Sequence, residues 1–324
     1  MVVFDIGFHI GQSTDFYLKL GHKVVAFEAD VTLYESGCKT FEKEIESGDL
    51  VLKNIGITPE AGVQDFFINK ENREWSTFYR DAAMNWGEGK YEMVQVSTIT
   101  PSMLFYEYGI PDYLKVDIEG FDIYIAEELR NLKQKPQLAS FEANNRTLMR
   151  NLLLAGYDSF KIVDQSLIGE QSYLINDHIY TFSNHNTALF GDDANGLWLN
   201  FENTMYLYNR FENCSFGTSV KPGHWWDIHA SSGREAPFYD QIDYMRMFIN
   251  SLDNHCGMHG DGKPWCPASK TDGYKSMELY ESQIRDAQQQ NVLLNQQLSD
   301  IYSSRTWKVG KALQRVFRFL VPHR

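Results

Sequence analysis

The chain has 324 residues and a mass of 37.5 kDa, long enough for one elaborated domain or a domain with extensions. With 43% apolar and 23% charged residues, it cannot be wholly disordered, collagen-like or membrane-embedded. A net charge of −13 disfavours nucleic acid as the main partner, because phosphate recognition needs a basic footprint.

From Val2 to Val163 short β-type runs alternate with helical periodicity. Strands are expected at Val2 to Ile6, Lys23 to Glu28 and Leu50 to Lys53, with one helix from Gly11 and another from Val31 closed by Gly48. The pattern resumes with strand Tyr113 to Val116, a helix from Asp122 to Leu132, strand Gln137 to Glu142, a helix ending near Gly156 and strand Tyr157 to Val163. This alternation predicts an α/β, Rossmann-like, doubly wound and mostly parallel sheet.

Between residues 165 and 275 the rhythm fails. The stretch is rich in Asn, Gly, His and aromatics, with helix signals at Leu197 to Phe211 and near Phe238 to Leu252. Residues 277–302 carry two apolar series spaced by seven, Met277, Ile284, Asn291, Leu298 and Tyr280, Ala287, Leu294, Ile301. That heptad register with one seam Asn fits a short parallel homodimer, or a single helix packed on its own domain. Residues 303–324 hold Arg305, Lys308, Lys311, Arg315, Arg318 and Arg324 with no acidic residue, so the tail is +6 and the remainder −19. A helical wheel segregates Val309, Leu313, Val316, Phe317 and Leu320 from the basic side chains, the layout of a helix lying on an anionic membrane surface or docking on an acidic body.

Four scattered cysteines, Cys38, Cys214, Cys256 and Cys266, make no disulfide framework and suit a reducing compartment. No apolar run approaches a membrane span, and the charged-then-apolar layout of a signal peptide is missing, so the expectation is a cytoplasmic protein peripheral at the membrane.

The chemistry begins where the first strand runs through Asp5-Ile6-Gly7-Phe8-His9-Ile10-Gly11 into a helix. Glycines four apart permit a tight turn and close ligand approach, and the helix N-terminus presents free N–H groups. The dinucleotide pattern G-x-G-x-x-G is not met; D-x-G-x-x-x-G fits a nucleoside without phosphates, with Asp5 near a cationic amino-acid moiety, and S-adenosylmethionine is such a ligand. Glu28, ending the second strand 17 residues after Gly11, is placed to accept hydrogen bonds from ribose hydroxyls. Lys115, Asp117 and Glu119 end a central strand and Glu142 ends the next, bringing charged groups to the edge where such sheets bind ligands.

Phe4-Asp5-Ile6-Gly7 with Gly11, Val25-Ala26-Phe27-Glu28 and, most specifically, Leu114-Lys115-Val116-Asp117-Ile118-Glu119-Gly120 resemble the FkbM-type methyltransferase family over residues 2–190. The resemblance implies an S-adenosylmethionine-dependent O-methyltransferase, often acting on sugar or natural-product hydroxyls. It implies a cofactor set of Asp5, Gly7, His9, Gly11, Glu28, Ala29, Gly56 and Asp117, with the Asn54 to Ile57 turn on the adenine side, and an acceptor site lined by Lys115, Asp117, Glu119 and Glu142. The family usually has small-Asn between the glycines and Pro after the ribose acid, where this chain has Phe8-His9 and Ala29.

The domain reading is a methyltransferase unit over 1–190, an aromatic-rich, acceptor-binding extension over 191–275, a coiled-coil helix over 276–302 and a basic tail over 303–324. Methyl transfer to a hydroxyl needs alignment and removal of a proton. Asp117, Glu119 or Glu142 could serve as the base beside Lys115, or the carboxylates could hold Mg²⁺ or Mn²⁺ to acidify the hydroxyl. His255-Cys256-Gly257-Met258-His259 with Cys266 lacks the second matched pair of a zinc site, and His224 and His229 flank Trp225-Trp226-Asp227, which could line a glycan site or be surface or core histidines. The leading expectation is methylation of a polysaccharide or glycolipid sugar; the alternatives are a non-catalytic scaffold of a glycan-assembly complex and a methyltransferase of small metabolites.

Overall fold

Asp5, Lys115 and Ser140 sit side by side on the three middle strands of a seven-stranded sheet, in register across parallel pairs. The computed structural model describes residues 1–247 apart from 88, 144–145, 166–171, 183–187, 216–225, 238–239 and 246. The heptad segment, the basic tail and the His255 to Cys266 cluster lie outside the described residues, as does the side chain of Cys214.

In chain order the elements are β1 (Val2–Ile6), α1 (Gln12–Lys19), β2 (Lys23–Glu28), α2 (Val31–Thr40), α3 (Glu42–Ser47), β3 (Leu50–Asn54), β4 (Gly56–Ile57) and β5 (Gly62–Asn69). A single 3-10 turn (Arg73–Trp75) and α4 (Arg80–Trp86) lead to β6 (Tyr91–Ile99), α5 (Pro101–Tyr108), β7 (Tyr113–Val116), α6 (Asp122–Glu128), β8 (Leu138–Glu142), α7 (Arg146–Leu154) and β9 (Ser159–Asp164). A hairpin of β10 (Ser172–Ile175) and β11 (His178–Thr181), then α8 (Phe201–Ser215) and β12 (Trp226–Ser231), follow among the described residues.

The main sheet runs β3-β2-β1-β7-β8-β12-β9. Pairs from β3 through β8 are parallel, whereas β12 is antiparallel to both β8 and β9. The order departs from the all-parallel dinucleotide arrangement by inserting this one reversed strand. Strands such as Tyr-Leu-Lys-Val of β7 are buried throughout, as a sheet covered on both faces requires. On one face Phe4, Leu114 and Phe141 pack with Leu104 of α5, Ile125 of α6, Met149 of α7 and Tyr208 of α8. On the other, Val3, Val24 and Leu50 pack with Phe16 and Tyr17 of α1, with Cys38 of α2 and Tyr180 of β11 at the margin.

The alternating elements fall close to the expected boundaries, with three differences. The helix expected from Val31 to Gly48 is two helices broken at Phe41, whose ring turns inward against Phe8 and is 6% exposed. The helix from Asp122 stops at Glu128, short of Leu132. The stretch 165–275 is more than an irregular, helical extension, because Trp226–Ser231 is an interior strand of the main sheet. A second sheet, β4-β6-β5, arises from residues 56–99, where β5 and β6 form a long antiparallel pair.

Candidate functional site

The carboxyl ends of β1, β2, β7 and β8 and the start of the reversed β12 meet at one edge, where a cleft of about 430 Å³ opens. That volume is in the range of small-molecule sites, about 300–1,000 Å³. Gly7, His9, Glu28, Ala29, Gly56, Lys115, Asp117, Glu119 and Glu142 all line it, so most residues singled out from the sequence converge. Asp5 and Gly11 are absent from the lining.

Gly7 turns the chain out of β1 at φ +94°, and a Cβ there would lie 1.9 Å from the Asp117 carbonyl oxygen. Only glycine lets the two strand ends touch. At Gly11, φ +83°, the crowding comes from the rings of Phe8 and Phe41, each 2.6 Å from where a Cβ would be, so this glycine serves the packing behind the turn.

Glu28 lies 8% exposed with both carboxylate oxygens engaged, one by the His9 N–H at 2.7 Å and the other by the Asp30 N–H at 2.8 Å. Burial pushes its carboxyl up to about 7 against the pull of those two N–H groups. Asn54 donates to the Glu28 and Ala29 carbonyls, fixing the turn that carries the acid. Ala29, Ile55, Ile57, Phe66 and Phe78 make this end of the cleft largely apolar.

The other end is acidic. Lys115, its side chain 4% exposed, places Nζ 3.3 Å from Asp5 Oδ1 and 3.6 Å from Asp117 Oδ2. Burial works against its charge, but Asp5, Asp117 and Asp227 outweigh that and hold it above the usual lysine value. Asp5 is fully buried beneath the floor and also accepts from Thr14 Oγ1 at 2.7 Å, so its carboxylate supports Lys115. Glu119 sits at φ +50° ahead of Gly120 at +94°, in the left-handed region. Thr77 Oγ1 donates to the Glu119 carbonyl at 3.2 Å and steadies that turn. Burial, then Glu142 and Asp117, push the Glu119 carboxyl up to about 9. Asp122, buried next to the same turn, is raised to about 7 by burial and by Asp117.

Two parts of the lining were not found from the sequence. Asp227 enters from β12, paired with Glu142, and the only hint was its place between aromatic and histidine neighbours. Asn72, Arg73, Glu74, Trp75 and Ser76 form a wall from a segment with no recognised motif. Among the described residues no three His, Cys, Asp or Glu side chains gather in a metal-holding group, so the Mg²⁺ or Mn²⁺ reading finds no assembled donor set. No helix among the described residues is long and apolar enough to cross a membrane.

No family profile matches the chain, and no curated protein matches it. Among solved structures it is similar to the precorrin-6y C5,15-methyltransferase of Geobacter metallireducens, at 11% identity and a TM-score of 0.30, covering 72% of this chain and 80% of that one. Similarity this low assigns neither fold nor activity, and the functional reading rests on the site.

Proposed function

We propose that the protein is an S-adenosylmethionine-dependent O-methyltransferase whose acceptor is a sugar hydroxyl of a polysaccharide or glycolipid. The observation that carries this is the join, in one cleft, of an apolar nucleoside-sized end bearing Glu28 and an acidic end built around Lys115 and Asp117. The residues fit the cofactor: a carboxylate has about four lone-pair sites, and the His9, Asp30 and Ala29 N–H groups on Glu28 leave capacity for a ribose hydroxyl. The resemblance of the Gly7 and Asp117 to Gly120 segments to FkbM-type enzymes supports the same reading and the sugar acceptor.

When bound, S-adenosylmethionine supplies an electrophilic methyl group. The chain must align the acceptor oxygen and take its proton. Burial beside Glu142 and Asp117 raises the Glu119 carboxyl, which suits it to carry a proton and donate a hydrogen bond to the acceptor. Asp117 and Glu142 are left as the proton acceptors, and Lys115 holds the Asp117 carboxylate in place. No step calls for a metal.

Calorimetric titration of S-adenosylhomocysteine tests the reading. Micromolar binding, about −8 kcal/mol, weakened about tenfold in Glu28→Ala, is the expected result. Absence of binding to folded protein would overturn the cofactor and favour the scaffold alternative. The basic tail is proposed to hold the enzyme at an anionic membrane surface and the heptads to pair two chains.

A further inference from the structure

The rim of the cleft carries a closed circuit of contacts. The Asp30 N–H donates to one oxygen of Glu28, and the Asp30 carboxylate, 1% exposed, caps α2 through the Thr32 N–H at 2.8 Å and pairs with Arg73. Next along the chain, Glu74 Oε1 comes within ion-pair distance of His9 Nδ1 at 3.9 Å, beside Gln12 Nε2 at 3.4 Å from the same nitrogen, and the His9 N–H closes the circuit on the other oxygen of Glu28. The segment carrying Arg73 and Glu74 is itself fixed from the end of β5. Asn69 Oδ1 accepts from the N–H groups of Glu71 and Asn72, and Ser76 Oγ bridges from the Asn69 N–H to the Arg73 carbonyl. Trp75, 54% exposed, also lines the cleft from this segment.

We infer that Asn72–Ser76 is the outer wall of the nucleoside end of the cleft, and that Arg73, acting through Asp30, positions Glu28 and holds that wall against a bound adenosyl group. The inference rests on the cofactor reading above and adds a residue to it. Arg73 is itself part of the wall, but its guanidinium is engaged by Asp30, which is outside the lining, so it acts as a positioning residue through the Asp30 N–H and the placement of Trp75. Arg73 to Asp30 and His9 to Glu74 are the circuit's two side-chain to side-chain links, while the other two join a backbone N–H to the Glu28 carboxylate.

Titrating adenosine and S-adenosylhomocysteine into wild type, Arg73→Gln and Arg73→Lys tests this on the full chain. Adenosine reports the nucleoside end alone, since it carries no amino-acid moiety to reach the acidic end. Arg73→Gln should weaken both ligands by about the same factor, roughly tenfold, and Arg73→Lys should recover most of the loss. Adenosine should also change the emission of Trp75, assigned by its disappearance in Trp75→Phe. Wild type that binds both ligands, with Arg73→Gln within about twofold of it, would overturn the role of Arg73 while leaving the cofactor reading intact. Binding with no change at Trp75 would overturn the wall, a readout that needs no Arg73 variant to fold. Wild type that binds neither ligand would overturn the cofactor reading itself.

Discussion

Glu142 and Asp227 stand opposite one another across the antiparallel pair of β8 and β12, two carboxylates facing the same cleft. Like charges directly opposite are unfavourable. Burial pushes the Asp227 carboxyl well above the usual carboxylate range, and Asp117 and Glu142 add to this against the opposing pull of Lys115. An acid raised in the folded state contributes stability that is whole at low pH and is lost as pH climbs through the folded value, because the unfolded chain gives up its proton first. Asp227→Asn should therefore match wild type near about pH 4 and exceed it near about pH 9 by about 1 kcal/mol or more. Urea midpoints at the two pH values measure this, and equal midpoints at the higher value would refute a raised Asp227 carboxyl.

The same pair marks where the sequence stops being readable. Parallel strands with crossover helices announce themselves by alternation, so the alternation alone places Asp5, Glu28, Lys115, Asp117, Glu119 and Glu142 at strand ends. It does not place Asp227. Its strand, Trp-Asp-Ile-His-Ala-Ser, mixes polar and apolar residues while being almost wholly buried, and its pairing partners β8 and β9 lie far back in the chain. Arg73 and Trp75 escape for a different reason: a 3-10 turn of three residues has no periodicity, and their role comes from where β5 delivers them. The roles of Asp5 and Gly11 are not legible in the sequence either, since a D-x-G-x-x-x-G pattern does not say which glycine faces a ligand and which faces two phenyl rings.

Glu28 links ligand affinity to pH. In the proposed complex ribose hydroxyls would donate to the ionised carboxylate, and burial holds that carboxyl up at about 7. Protonation turns one carboxylate oxygen into a donor and weakens the other as an acceptor, so affinity for S-adenosylhomocysteine should fall as pH drops through that value and level off above it. Titrations across that window should show the break in wild type and none in Glu28→Gln, which should bind weakly throughout.

Gly7 and Gly21 separate close approach from backbone conformation. Both have positive φ, +94° and +79°, but a Cβ at Gly7 meets the Asp117 carbonyl at 1.9 Å, whereas at Gly21 nothing lies within 4 Å. Gly21→Ala should cost about 1–2 kcal/mol, the left-handed penalty alone. Gly7→Ala should exceed that clearly, by about 2 kcal/mol or more, since backbone must move. Thermal melts compare them, and equal losses would mean the β1 and β7 ends are not in contact.

The membrane proposal has its own measurement. Deleting residues 303–324 removes six basic side chains, each worth about 1 kcal/mol near an anionic surface. Sedimentation with phosphatidylserine vesicles should be lost while affinity for S-adenosylhomocysteine is unchanged; sedimentation that persists would discard the idea.

Lys115 is the residue on which the acidic end depends. Its ammonium is held between Asp5, fully buried, and Asp117 at the cleft wall. Lys115→Met keeps the apolar stem but leaves Asp5 with a buried charge answered only by the Thr14 hydroxyl, a loss expected at about 3–5 kcal/mol. Adding Asp5→Asn removes that uncompensated charge, so the double variant should be more stable than Lys115→Met alone. Denaturant unfolding of the four proteins in the cycle gives the coupling directly. Recovery of stability without recovery of the proposed methyl transfer would separate the two roles of Lys115, neutralising Asp5 and holding Asp117. Additive losses would show that the two groups do not interact.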